Sequence, residues 1–150
     1  NGKPVVQPKT QDGCIDALYA YDKANYPMCC FSARDGNTAA TRADGFIDIH
    51  AYTLIRVEKN VAGSGVDMLL LRNPHGTNEL TRGMWVDDGP GWKKHPEIRK
   101  AIQPAFENDG AFWVEKREFF KYVDYVSVLA LDMTTFVKSS YAPPPLFEDE

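Results

Sequence analysis

His50 and Asn73 are the residues whose types and spacing suggest chemistry. Two apolar, β-branched segments flank a turn-forming run containing Asn60, Gly63, Ser64 and Gly65, the signature of a hairpin with a fairly long loop. A turn centred between Val61 and Gly65 pairs residues whose numbers sum to about 125, give or take two. The numbers 50 and 73 sum to 123, so His50 and Asn73 should lie nearly opposite, within reach of each other if they share a face. An imidazole held by an amide carbonyl oxygen can accept the proton of a thiol. The oxygen fixes its tautomer and rotation, and the other ring nitrogen is free to act as base. The competing reading is structural. A strand histidine can be satisfied in place, and an Asn before Pro74 can end a strand as a turn residue.

The elements that must position this pair are legible in outline. Apolar spacing predicts a short helix over Cys14–Ala24, entered at Asp12 and Gly13, and a buried strand over Met28–Phe31. The residues from Ser32 to Gly45 read as a loop. The hairpin has strands Phe46–Val57 and Val66–Leu71, closed by Arg72-Asn73-Pro74. A Gly-, Asp- and Pro-rich stretch from His75 to Gly91 follows, anchored by Trp85 and Trp92. A helix over His95–Phe106 should stop at Pro104. Strands are predicted at Ala111–Val114 and Tyr125–Leu131, with a helical turn over Arg117–Tyr122 between them. The fold class expected is α+β, mainly an antiparallel β-sheet with a few short helices.

The length of 150 residues suits one domain and a real core. A net charge of −4 leaves no basic surplus to neutralise phosphates, which argues against nucleic-acid binding. No apolar run approaches the ~18 residues of a transmembrane segment. The three cysteines, Cys14, Cys29 and Cys30, show no disulfide framework and no zinc spacing, and no Asn-x-Ser/Thr acceptor occurs. A reducing, cytoplasmic setting is expected. The chain starts at Asn1 without Met and ends in a Pro-rich acidic tail, as a segment of something longer would. The division expected is an extended lead-in over 1–13, a folded unit over 14–133, and a linker or the start of another domain over 134–150.

Ile49-His50-Ala51-Tyr52-Thr53, followed by Leu71-Arg72-Asn73-Pro74-His75-Gly76, resembles the second catalytic subdomain of the calpain family. Gly83-Met84-Trp85-Val86-Asp87, Trp92 and Asp109-Gly110-Ala111-Phe112-Trp113 continue the likeness in order, and Met28-Cys29-Cys30-Phe31-Ser32 precedes it. The likeness spans roughly Cys14 to Met133. It implies the barrel-like half of a papain-like, calcium-regulated cysteine endopeptidase acting on protein substrates. His50 would be the base and Asn73 its orienting partner, with Trp85 and His75 along the substrate cleft. The nucleophilic Cys would come from the first catalytic subdomain of the same protein, leaving this chain inactive alone. Cys14 matches the opening helix and reads as a structural thiol.

Two positions depart from the family pattern. His75 stands where the family usually has a Trp that shields the His–Asn pair from water. The implied calcium ligands are Glu79, Asp87 and Asp109, with the backbone oxygen of Glu107. Ala111 replaces a further carboxylate, and a cation that seeks six to eight oxygens should bind less well for it. The alternative for these acids is solvated loop residues. The alternative for the whole chain is a non-proteolytic, calpain-like scaffolding or binding module with a degenerate site.

Overall fold

The computed structural model describes residues 10–32 and 40–134. The Pro-rich tail, most of the lead-in and part of the loop after Ser32 lie outside them. In chain order the elements are α1 (Gln11–Lys23), β1 (Met28–Ser32), β2 (His50–Glu58), β3 (Met68–Arg72), α2 (Pro90–Lys94), α3 (Pro96–Ile102), β4 (Ala111–Glu115), α4 (Lys116–Tyr122) and β5 (Tyr125–Val128). The five strands form one antiparallel sheet in the order β4-β3-β2-β1-β5. The α+β class is as expected, but the sheet is open rather than closed into a barrel.

One face of the sheet is covered along its width, the other over β3 and β4, while Cys29, Thr53 and Ser127 stay exposed. Tyr52, Leu54 and Val57 of β2, Leu69 and Leu71 of β3, and Phe112 and Val114 of β4 pack with Ile15 and Leu18 of α1 and Phe119 and Tyr122 of α4. The other face places Met68 and Trp113 against Trp85, Trp92, Ile98 and Ile102. Each large apolar side chain so buried contributes roughly 1.5–3 kcal/mol. Exposed ion pairs such as Lys116–Asp12 add far less. The two clusters therefore fix the sheet that carries the site.

Local chemistry explains where the elements differ from the sequence reading. The cap of α1 is Thr10, whose hydroxyl oxygen accepts from the Gly13 amide at 3.1 Å, so the helix begins at Gln11, before Asp12. β2 begins at His50 rather than Phe46, because Ile49 sits at φ 50°, outside the extended region. The helix expected over His95–Phe106 is α3, which ends at Ile102, and it is preceded by a further short helix, α2, that meets it at His95; each has Pro in its first turn. Among the described residues no helix is long and apolar enough to cross a membrane.

Candidate active site

Asn73 follows the last residue of β3 and is completely buried. Its backbone N–H donates to Gly110 O at 2.8 Å, and its carbonyl accepts from Gly76 N at 2.9 Å, closing the turn Asn73-Pro74-His75-Gly76. Its side-chain Nδ2 donates to Thr77 O at 2.7 Å and to Asn78 O at 3.4 Å. Two carbonyls on that side can be met only by the NH2 group, which settles the orientation of the amide. Oδ1 therefore faces the other way, accepting from the His75 backbone N–H at 3.1 Å and meeting His50 Nε2 at 3.0 Å.

This assigns the His50 tautomer. Since Oδ1 can only accept, Nε2 must carry the hydrogen, and Nδ1 keeps its lone pair. The ring is steered from two further sides. Tyr52 meets it edge-on, with centroids 4.9 Å apart and planes at 89°, and His75 lies flat over it at 5.2 Å and 11°. Burial pushes the Tyr52 hydroxyl up to about 12, so it stays neutral. Its oxygen accepts from Ile47 N at 2.9 Å, anchoring the approach to β2. Asp48, held by Arg42 and by the Ser32 hydroxyl, anchors that approach again. Ile49 then takes its strained positive φ immediately before His50.

The cysteines lie elsewhere. Ser32, not a cysteine, pairs with His50 across β1 and β2; Cys30 pairs with Tyr52 and Cys29 with Thr53. Burial raises the Cys14 thiol and pushes Cys30 up to about 12, the reverse of activation. All three are free thiols.

Trp85, an anchor of the loops in the sequence reading and placed along a cleft only by the resemblance, is 3% exposed, set edge-on to Trp92 at 5.0 Å and near His95 at 5.7 Å in the second cluster. Its indole leaves almost no surface for a substrate. His75, by contrast, is exposed and joined to both His50 and Asn73.

The acidic residues lie in neighbouring loops. Burial first, then the charges of Asp87 and Asp109, raise Glu79 above the usual carboxylate range. Asp87 is raised by burial and then by Asp88 and Asp109. One oxygen each of Glu79 and Asp109 is engaged with backbone. Glu79 Oε1 accepts from the Asp109 and Gly110 amides at 2.9 and 2.8 Å. Asp109 Oδ1 accepts from Ala111 N, and Glu107 O from Asp109 N, both at 2.8 Å. Among the described residues no three His, Cys, Asp or Glu side chains converge as a metal site. This donor set does not fit a preformed calcium shell.

Sequence reasoning missed the carbonyls of Thr77 and Asn78 that orient Asn73, and the strain at Ile49. Backbone acceptors carry no residue-type signature, so no signal in the sequence pointed to the first.

Comparison with known proteins places the chain in a family. Residues 4–130 match the calpain family of cysteine proteases. The chain is 34% identical over 115 residues to Calpain-A of Drosophila melanogaster, covering 71% of this chain and 14% of that protein. It is 39% identical over 90 residues to human Calpain-12, covering 59% and 12%, and 32% identical over 122 residues to a calpain of Schistosoma mansoni, covering 79% and 16%. The chain thus spans well under a fifth of the length of these relatives. A match running through the whole of the described sheet, and through both His50 and Asn73, makes the chain a member of the calpain family of cysteine proteases.

Proposed function

We propose that this chain is the His/Asn-contributing subdomain of a cysteine endopeptidase, with His50 as general base and Asn73 as its orienting partner. The observation that supports this most is the Asn73 amide, turned so that Oδ1 holds His50 Nε2–H and leaves Nδ1 free. In the proposed reaction Nδ1 accepts the proton of a cysteine thiol supplied by the first catalytic subdomain. The thiolate attacks the peptide carbonyl carbon, and the imidazolium returns its proton to the leaving amine as the C–N bond breaks. His50 then takes a proton from water, which hydrolyses the thioester and releases the acid. Asn73 keeps the ring aligned as charge comes and goes. A thiol nucleophile suits a reducing compartment, and we place the protein in the cytoplasm. Calcium enters only as a weak ligand of the Glu79, Asp87 and Asp109 loops, with a Kd of about 10⁻⁴ M or weaker. Nanomolar binding in a calorimetric titration would contradict that.

The test is peptidase activity of the full-length protein. Cleavage of a protein substrate should be abolished by thiol alkylation and by His50→Ala, while the 150-residue chain alone should cleave nothing. Full activity in His50→Ala, or thiol-dependent cleavage by the chain alone, overturns the proposal. Tight substrate binding without cleavage would instead favour a scaffolding module, the reading to which the exposed His75 and the missing carboxylate at Ala111 lend some weight.

A further inference from the structure

Ile49 is β-branched and sits at φ 50°, in the left-handed region that such side chains avoid. A conformation of this kind persists only where the structure on either side holds it. On the C-terminal side the holder is β1, since His50 pairs with Ser32 as the last rung of the β1–β2 ladder among the described residues. On the N-terminal side the same Ser32 is used again. Its hydroxyl donates to Asp48 Oδ1 at 3.1 Å. Both neighbours of Ile49 are thus tied to one buried serine, His50 through strand register and Asp48 through its carboxylate.

Arg42 completes the hold on Asp48. Its Nε donates to both carboxylate oxygens at 2.8 Å, and its Nη2 donates to Oδ1 as well. Exposed ion pairs hold little, but this one is forked, and its side chains are only 24% and 21% exposed. The segment 40–48 folds back on itself, with Asp48 N donating to Ala40 O at 2.9 Å and Arg42 N to Phe46 O at 2.7 Å. The guanidinium lies over the rings of Phe46 and Tyr122, 5.6 Å from each centroid. Phe46 in turn stacks on Tyr52 at 4.7 Å, and Tyr52 is the ring that meets His50 edge-on. Arg42 therefore reaches His50 by two routes, one through backbone and one through packed rings.

We propose, on the reading of His50 as the base, that Arg42 is a positioning residue that seats His50 against Asn73. Arg42 fixes Asp48, Asp48 and Ser32 fix the turn at Ile49, and the turn sets His50 where Nε2 meets Asn73 Oδ1 at 3.0 Å. Without Arg42 the left-handed residue relaxes toward the extended region, and the terminal rung at His50 opens first, because ladder ends open at the lowest cost. Phe46 is 1% exposed and stacked on both Tyr52 and Tyr122, so it still anchors the segment and the sheet stays folded. The loss falls on the placement of the ring rather than on the fold.

The test reads the His50 Nε2–H proton of the chain by NMR. That hydrogen points at the oxygen of a completely buried amide, so it exchanges slowly with water, whereas a ring N–H turned to solvent is lost by exchange. The signal should be present in the native chain and lost in Arg42→Ala, with the backbone amide spectrum of the sheet retained. Asp48→Asn, which keeps the shape and loses the charge, should do the same, and it decides the matter if Arg42→Ala does not fold. In an Ile49→Gly background Arg42→Ala should leave the signal in place, because glycine takes a positive φ without strain. In the full-length protein Arg42→Ala should lower kcat about tenfold or more with KM little changed. The proposal is overturned by a signal missing from the native chain, by one that survives both single variants, or by equal loss in the two backgrounds. An unchanged kcat in a protein whose activity requires His50 overturns it too. If instead His50→Ala retains activity, it is the reading of His50 as base that falls, and the NMR comparison still decides whether Arg42 seats the ring.

Discussion

Asn73 meets His50 diagonally, and a single unpaired residue in β2 makes that possible. Val57 pairs with Leu69 and Arg56 with Leu70, but Leu54 pairs with Leu71, leaving Ile55 without a partner on β3. Carried on from Thr53 and Arg72, the register sets Asn73 level with Tyr52, two residues from His50 on the same face. Without the bulge Asn73 would be level with Thr53 and would point to the opposite face from His50. The same offset keeps Tyr52, Leu54 and Val57 all facing the core.

Deleting Ile55 should therefore be far worse than substituting it. The deletion flips one half of β2 relative to β3, turning either Tyr52 and Leu54 or Val57 out of the core. The expected outcome is loss of the cooperative unfolding transition in a thermal melt. Ile55→Thr, at a position 43% exposed, should stay within about 1 kcal/mol of the native protein. A deletion variant that melts cooperatively near the native temperature would show that the register does not depend on the bulge.

The bulge also marks where the sequence stops being informative. The hairpin, its turn and the nearness of His50 to Asn73 follow from apolar runs around Asn60 and Gly63–Gly65, because burial and turn chemistry leave their mark on residue types. Counting across the turn gave proximity, but only the extra residue at Ile55 gives the shared face, and an exposed isoleucine inside a β-branched run looks like any other strand position. An indole suits a cleft wall and a core equally well; Trp85 packs with Trp92 of α2 and Ile98 of α3, and of these two helices the apolar pattern showed only the second. The acidic loops had the right residue types for a cation. Among the described residues they do not converge as a metal site, and one oxygen each of Glu79 and Asp109 is turned to the amides of Asp109, Gly110 and Ala111.

Asn73→Ala should cost about 2–3 kcal/mol in urea denaturation, because Thr77 O and the His75 N–H lose a buried partner. Asn73→Asp should be no better, despite its matching shape. It has no N–H to offer Thr77 O and Asn78 O, so one carboxylate oxygen would face two carbonyls. A native-like midpoint for Asn73→Asp would mean that the amide orientation assigned to Asn73, and with it the His50 tautomer, is wrong.

Stability against pH should carry the mark of Asp87. Its carboxyl is raised in the folded chain, first by burial and then by Asp88 and Asp109. The unfolded chain thus releases this proton first, near the ordinary aspartate range of about 4. Between that pH and the raised folded value the unfolded state binds fewer protons, so stability falls as pH rises. The contribution is complete below the unfolded value and gone above the folded one. Glu79 acts in the same direction, with burial again the largest cause. Asp87→Asn removes one such group without touching a backbone bond of the loop. The melting temperature of the variant, measured against the native chain from about pH 3 to pH 7, should gain on it as pH rises and then hold a constant lead. A lead that does not change with pH, or one that shrinks, would mean that the acidic loops do not strain one another in the folded protein.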